Sequence, residues 1–302
     1  MLMMLQATVL VLVSALLHPV RDLILKGHSH PESAYLAVTA TWVAIAGAHI
    51  MATGAGLSLP ANILPLAIMS AACLTAYYFG TMAALKSGDL SVYYPIIRSS
   101  PLLIVLLTWA LAGTRYSAGA LAGIALIVIA GFMLQRQPGR IIAHPRTAAL
   151  AFIAMAGSAG YTMADHAAMA GHPLAQEASQ HIAVRPETFL FWVYLMVTPA
   201  FAVLANTFKP AGRSTREHLT GGWTSRPVRI VMAAIVSYVS YLCILWAFEA
   251  GAGAAETAAV RQASIPVSVV LAALVLGERR FVHRLGWASL IAAGIALIAL
   301  QR

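Results

Sequence analysis

The chain has 302 residues, of which 60% are hydrophobic and only 10% charged, where a soluble domain carries about 25% charged residues. That balance excludes an ordinary soluble globular domain. The formal net charge of +9 is no sign of nucleic-acid binding, because most basic residues fall in short loops between apolar segments, where membrane topology accounts for them. Cys73 and Cys243 both lie inside apolar segments, which argues against a disulfide framework, and neither has a metal-ligand neighbour at useful spacing.

Apolar stretches recur from end to end, and about 20 such residues cross roughly 30 Å of hydrocarbon as a helix. The expected fold is an all-α polytopic membrane protein of ten spans. The first, Leu2–Leu25, lacks a basic start and a small-x-small cleavage site, so it reads as a retained helix. It carries Arg21 and Asp22 near its end. The second and third are expected over Glu32–Ala52 and Asn62–Leu85, joined through the breaker-rich TGAGLSLP. After KSGD comes the fourth, Leu90–Ala112, with Arg98 inside it. The fifth is Ser117–Leu134, and RQPGR leads to the sixth, Thr147–Ala170, which holds Asp165. The seventh is Glu187–Asn206 and the eighth Val228–Phe248. The connections at 171–186 and 207–227 are the longest, and each reads as a surface loop with a short helix. Beyond EAGAG come the ninth span, Ala254–Leu276, with Arg261 inside it, and the tenth, Val282–Leu300.

The two halves repeat. A shift of about 163 residues sets Tyr78 on Tyr241, Gly88 on Gly251 and Arg98 on Arg261; after a one-residue slip Gly113 meets Gly277, and then Gly123 meets Gly286 and Gly131 meets Gly294. A smaller shift sets Asp22 against Asp165. Each half, 1–145 and 146–302, is then a five-helix unit. An odd number of spans per half forces the halves into opposite orientations, the inverted-repeat plan of many secondary transporters.

Particular motifs carry a resemblance. Gly277-Glu278-Arg279, then Leu285-Gly286 and the apolar run to Gly294, resembles a repeat ending in the EamA branch of the drug/metabolite transporter (DMT) superfamily. Tyr94-Pro95-Ile96-Ile97-Arg98-Ser99-Ser100-Pro101 resembles that family's fourth span. Leu17-His18 with Lys26 is similar to its first, and Tyr161-Thr162-Met163-Ala164-Asp165 to its sixth. The resemblance covers essentially the whole chain. It implies a permease with ten transmembrane helices and, in one subgroup, a link to phosphonate utilisation. The first half departs from the pattern. It reads Gly113-Thr114-Arg115 without the expected glutamate, and Arg21-Asp22 stands where Trp-Asn is expected.

Arg98 and Arg261 are the leading site candidates. A guanidinium inside a span is costly, so it faces a cavity or a partner rather than lipid. Each lies about seven residues inside its span, roughly 10–12 Å deep at 1.5 Å per residue. As a cationic lining they suit an anionic or zwitterionic ligand, because arginine grips a carboxylate or phosphonate through two bonds. The alternative is a structural ion pair with Asp22, Asp165 or Glu256, and the two roles are compatible. Pro95, Pro101 and Pro266 flank the arginines and would kink their helices. Asp22 and Asp165 are carboxylates in low dielectric, suited to proton coupling or to ion pairing. Glu256 lies only two residues into its span. Tyr94, Tyr161, Tyr241 and Trp246 could line the cavity or belong to an interfacial aromatic belt.

The favoured function is a secondary active transporter moving a small polar metabolite. Its partners would be that solute and the lipid bilayer, without nucleic acid, and a homodimer is one assembly open to it. The alternative is an intramembrane enzyme using His18/Asp22 or Asp165/His166 as acid and base. There is no H-E-x-x-H and no G-x-x-x-x-G-K-[ST], so neither a metal, a cofactor nor ATP hydrolysis is expected. The location expected is a cell membrane, crossed many times, as in a bacterial inner membrane. Arg136, Arg140, Arg146, Lys209, Arg213, Arg216, Arg226, Arg279 and Arg280 all fall on one set of loops. The positive-inside bias sets those loops in the cytoplasm and both termini outside.

Overall fold

The structure is a computed structural model that describes residues 2–26, 28, 31–87, 96–135, 145–170, 184–207, 209, 212–267 and 281–300. Among these residues the fold is helical throughout, with no strand. In chain order the helices are α1 (Leu2–Leu25), α2 (Pro31–Thr53), α3 (Leu64–Ser87), α4 (Ser100–Ala112), α5 (Ala118–Gln135), α6 (Pro145–Met169), α7 (Pro186–Thr207), α8 (Thr215–Ser225), α9 (Pro227–Glu249), α10 (Ala254–Val260) and α11 (Phe281–Leu300).

Within the described residues six of these, α1, α2, α3, α6, α7 and α9, are long and apolar enough to cross a membrane. α4, α5 and α11 contain shorter apolar helical stretches. Met51, Leu111, Val203 and Leu300 stand out from the bundle, each at least 70% exposed. Water would penalise such apolar surface at roughly 25 cal/mol per Å²; lipid does not. This is a membrane protein.

Packing is tightest where glycine removes a side chain. α3 and α6 lie so close that a Cβ at Gly157 would come within 2.6 Å of the Cys73 carbonyl oxygen. α5 and α11 meet through Gly123 and Gly294, where a Cβ on either would lie 2.8 Å from the other's carbonyl. Small residues at helix crossings let backbones gain dispersion contacts that lipid cannot match. α1 packs on α9, α2 on α7, and α4 on α10. Polar links join α9 to α1 and to α2: Ser240 donates to the Ser14 carbonyl at 2.9 Å, and the Trp42 indole donates to Ser237 at 2.9 Å. Trp42 is ringed by Tyr194, Tyr238 and Tyr241 at centroid distances of 4.0, 5.6 and 5.6 Å.

Two segments that read as continuous spans are broken beside a proline. Ile96–Arg98 is helical, Ser99 is a turn at φ −81° and ψ 1°, and α4 starts only at Ser100. Pro101 cannot donate to the Ile97 carbonyl, and its ring displaces that carbonyl. In the second half α10 ends at Val260, a 3₁₀ turn covers Arg261–Ala263, and helix resumes over 264–267. Pro266 likewise leaves the Gln262 carbonyl without its helical donor. Arg98 and Arg261 both sit at these breaks. The short helix expected in the 207–227 connection is α8. Its Ser214 cap accepts the Glu217 amide, and it is tied to α2 through Ser33, which accepts from the Gly222 amide at 2.6 Å.

Candidate functional site

Seven helical segments converge on one central cavity of about 180 Å³. α1 contributes His18, Arg21 and Asp22, spaced i, i+3, i+4 and hence on one face. α6 contributes Ser158, Tyr161, Thr162 and Asp165, a stripe of the same period. Tyr35 comes from α2, Tyr77 and Thr81 from α3, and Arg98 from the break before α4. Phe248 comes from α9, and Thr257, Arg261 and Gln262 from α10 and its 3₁₀ turn. A smaller pocket of about 40 Å³ shares His18, Arg21, Tyr35, Tyr161 and Arg261 and runs inward to Trp42, Tyr194 and Tyr241.

The arginines are held by neutral groups. Arg261 donates to the Tyr161 hydroxyl at 3.3 Å, with its guanidinium carbon 5.9 Å from the Tyr241 ring centroid. Arg98 donates to the Gln262 amide oxygen at 3.3 Å, and Gln262 donates back to the Arg98 carbonyl at 2.8 Å. That reciprocal pair ties the break in the first half to the break in the second. Within the described residues neither Arg98 nor Arg261 forms an ion pair. Arg21 does, at 2.6 Å to Asp22, and it also lies 3.4 Å from His18 and 5.9 Å from the Tyr35 ring.

Asp165 is 1% exposed. It accepts hydrogen bonds from Ser70 at 2.6 Å and from the Tyr241 hydroxyl. Both oxygens are therefore occupied by hydroxyl donors rather than by an arginine. With Arg21 and Asp22 cancelling, Arg98 and Arg261 leave the cavity with two formal positive charges to set against Asp165. A site of that polarity favours an anion, and a guanidinium fork can hold a carboxylate or phosphonate through two hydrogen bonds.

Of the residues singled out from the sequence, Arg98, Arg261, Tyr161, Asp22 and Asp165 line this cavity, and Tyr241 lines the pocket that continues it. Tyr94 lies outside the described residues. Two others are elsewhere. Trp246 is 38% exposed on the outer side of α9, and Glu256 lines a separate cavity of about 270 Å³. The pairing of Arg98 or Arg261 with Asp22, Asp165 or Glu256 does not occur: Asp22 is taken by Arg21, and Asp165 by Ser70 and Tyr241. Arg21, Gln262, Tyr35 and Tyr77 are lining residues that the sequence reading did not single out. Among the described residues no three His, Cys, Asp or Glu side chains gather to hold a metal ion.

No protein-family model matches the sequence, and no curated protein matches it. Solved structures do: 28 chains are similar. One, described only as a crystal structure of a protein, superposes with a TM-score of 0.74 over 98% of this chain and 96% of its own, at 19% identity. At that identity the likeness shows a shared fold and carries nothing about activity.

Proposed function

We propose that the chain is an EamA-like secondary transporter of the DMT superfamily. It moves a small anionic or zwitterionic metabolite by alternating access between two inverted five-helix halves, 1–145 and 146–302. One observation carries the reading. Arg98 and Arg261 occupy matching proline-linked breaks in the two halves and face one polar cavity without carboxylate partners among the described residues. Broken helices at a repeat interface are where transporters of this plan bind solute.

The helix pairing supports the inverted repeat. Exchanging the halves turns the α3–α6 contact into the contact between α9 and α1, which is also formed. The α2–α7, α4–α10 and α5–α11 contacts map onto themselves. The enzyme reading draws less support. Asp165 and His166 open into different cavities, and Asp22 is neutralised by Arg21.

The test is a thermal-shift screen of detergent-purified protein against amino acids, organophosphonates and sugar phosphates, since a ligand that binds the folded form raises its melting temperature. The best ligand is then followed into proteoliposomes. Uptake of the unchanged compound is expected; its chemical conversion would favour the enzyme.

A further inference from the structure

The second cavity lies at the opposite end of the bundle from the mouth residues of the first. It is lined by Thr108 in the last turns of α4, Tyr116 in the α4–α5 connection, His166 in the last turn of α6, Glu256 in the first turn of α10 and Ile298 at the end of α11. Because consecutive spans reverse direction, all these positions lie at one end. Arg21 and Asp22 near the end of α1, Tyr35 near the start of α2 and Arg98 just before α4 lie at the other.

The two cavities are lined by neighbouring residues of the same helices. On α6, Asp165 lines the first cavity and His166 the second; on α10, Thr257 lines the first and Glu256 the second. Neighbouring residues on a helix differ in depth by only about 1.5 Å and point about 100° apart. The cavities therefore reach the same level from opposite ends. Phe248, fully buried, lines the first cavity and meets the ring of His166, which lines the second, edge-on at 5.2 Å and 87°. An apolar ring with no polar atom facing either side blocks water and ions.

We infer that the second cavity is the opposite-face half of the permeation pathway, and that Phe248, packed on His166 beside Thr257, is the closed gate between the halves. The inference rests on the transport reading and deepens it. The hydroxyls of Thr108, Tyr116 and Ser117, with Arg115, His166 and Glu256, set polar groups into a second cavity whose walls are otherwise mostly apolar. Those groups give water and a small polar solute points of contact along it.

Sidedness tests this without knowing the solute. The full chain, with Cys73 and Cys243 changed to serine, is reconstituted in vesicles carrying either Thr108→Cys or Ala258→Cys, and a membrane-impermeant maleimide is applied to each face in turn. Thr108→Cys, in the second cavity, should react from one face, and Ala258→Cys, on the wall of the first, from the other. Adding Phe248→Ala should remove the sidedness, so that each cysteine reacts from both faces. Both single cysteines reacting from the same face would overturn the inference, whether or not the gate variant folds. So would a folded Phe248→Ala protein that keeps one-sided labelling. These readouts are independent of uptake: vesicles that keep sidedness but move no solute count against the transport reading alone.

Discussion

Replacing Arg261 with lysine separates a binding arginine from a scaffolding one. Among the described residues the guanidinium makes one hydrogen bond, to Tyr161 at 3.3 Å, and rests over the Tyr241 ring. That bond is long, and a lysine ammonium can still donate to the Tyr161 hydroxyl, so folding should hardly notice the change. Ligand binding should notice it. A bidentate grip on a carboxylate or phosphonate comprises two charge-assisted bonds, and lysine keeps the charge but loses the planar fork. Losing one such bond costs about 1.5–3 kcal/mol, or roughly a 10- to 100-fold rise in Kd. Arg261→Ala should cost more, and Arg98→Lys should behave like Arg261→Lys. The assay is titration calorimetry with the best ligand from the thermal-shift screen, alongside melting temperatures of each variant. Arg185→Ala is the control. It removes the ion pair at 2.8 Å to Glu187, a residue 2% exposed, and should lower stability without touching affinity. The binding role would be refuted by lysine variants that bind like the parent, or that lose stability and regain it when Asp165 is neutralised.

Asp165→Asn should abolish gradient-driven uptake while solute exchange continues, and an unchanged pH dependence of uptake in both Asp165→Asn and Asp22→Asn would remove proton coupling at either acid. Gln262→Glu places a carboxylate against Arg98, which already reaches the Gln262 amide oxygen at 3.3 Å, and removes the donor to the Arg98 carbonyl; anion affinity should fall in protein that still folds, and unaltered affinity would mean that Arg98 does not meet the ligand. Gly294→Leu puts a Cβ 2.6 Å from Ile127 Cγ1 and 2.8 Å from the Gly123 carbonyl, so it should lower melting temperature by forcing α5 and α11 apart, whereas Gly286→Ala, with nothing within 4 Å, should fold normally. A C-terminal reporter that is active only in the cytoplasm should be silent, since the basic loops draw the other end of the bundle inward; activity there would reverse the orientation.

Much of the helix layout was legible because lipid demands long uninterrupted apolar runs. α1 has the bounds that its apolar run predicts, and α6 differs by one or two residues at either end. Arg98 and Arg261 stood out for a related reason: an isolated charge in such a run is expensive wherever it points, so its presence calls for a polar surrounding. Arg21 gave no such signal. Beside Asp22 and close to the end of a span, it reads as an ordinary interfacial pair, and only the convergence of α2, α3 and α6 on that turn makes it part of a cavity wall. Gln262 was silent because a neutral amide carries no comparable cost.

The two candidates that fall away from the central cavity show what depth alone leaves out. Trp246 lies five residues after Tyr241, and five residues turn an α-helix by about 500°, or about 140° past a full turn, so the two cannot share a face. Phe248, seven residues after Tyr241, returns to within about 20° of it, and it is buried on the cavity side while Trp246 is exposed. Glu256 and Arg261 are also five apart, and they line different cavities. Thr257 and Ala258, four and three residues before Arg261, share its cavity. The angular relation between residues of one helix could thus be read from their numbers. Which face meets the cavity could not, because that depends on how helices distant in sequence pack around it. The same angle that removes Glu256 from the arginines sets it with His166 in the opposite cavity, so this candidate, absent from the central site, helps to line the other one.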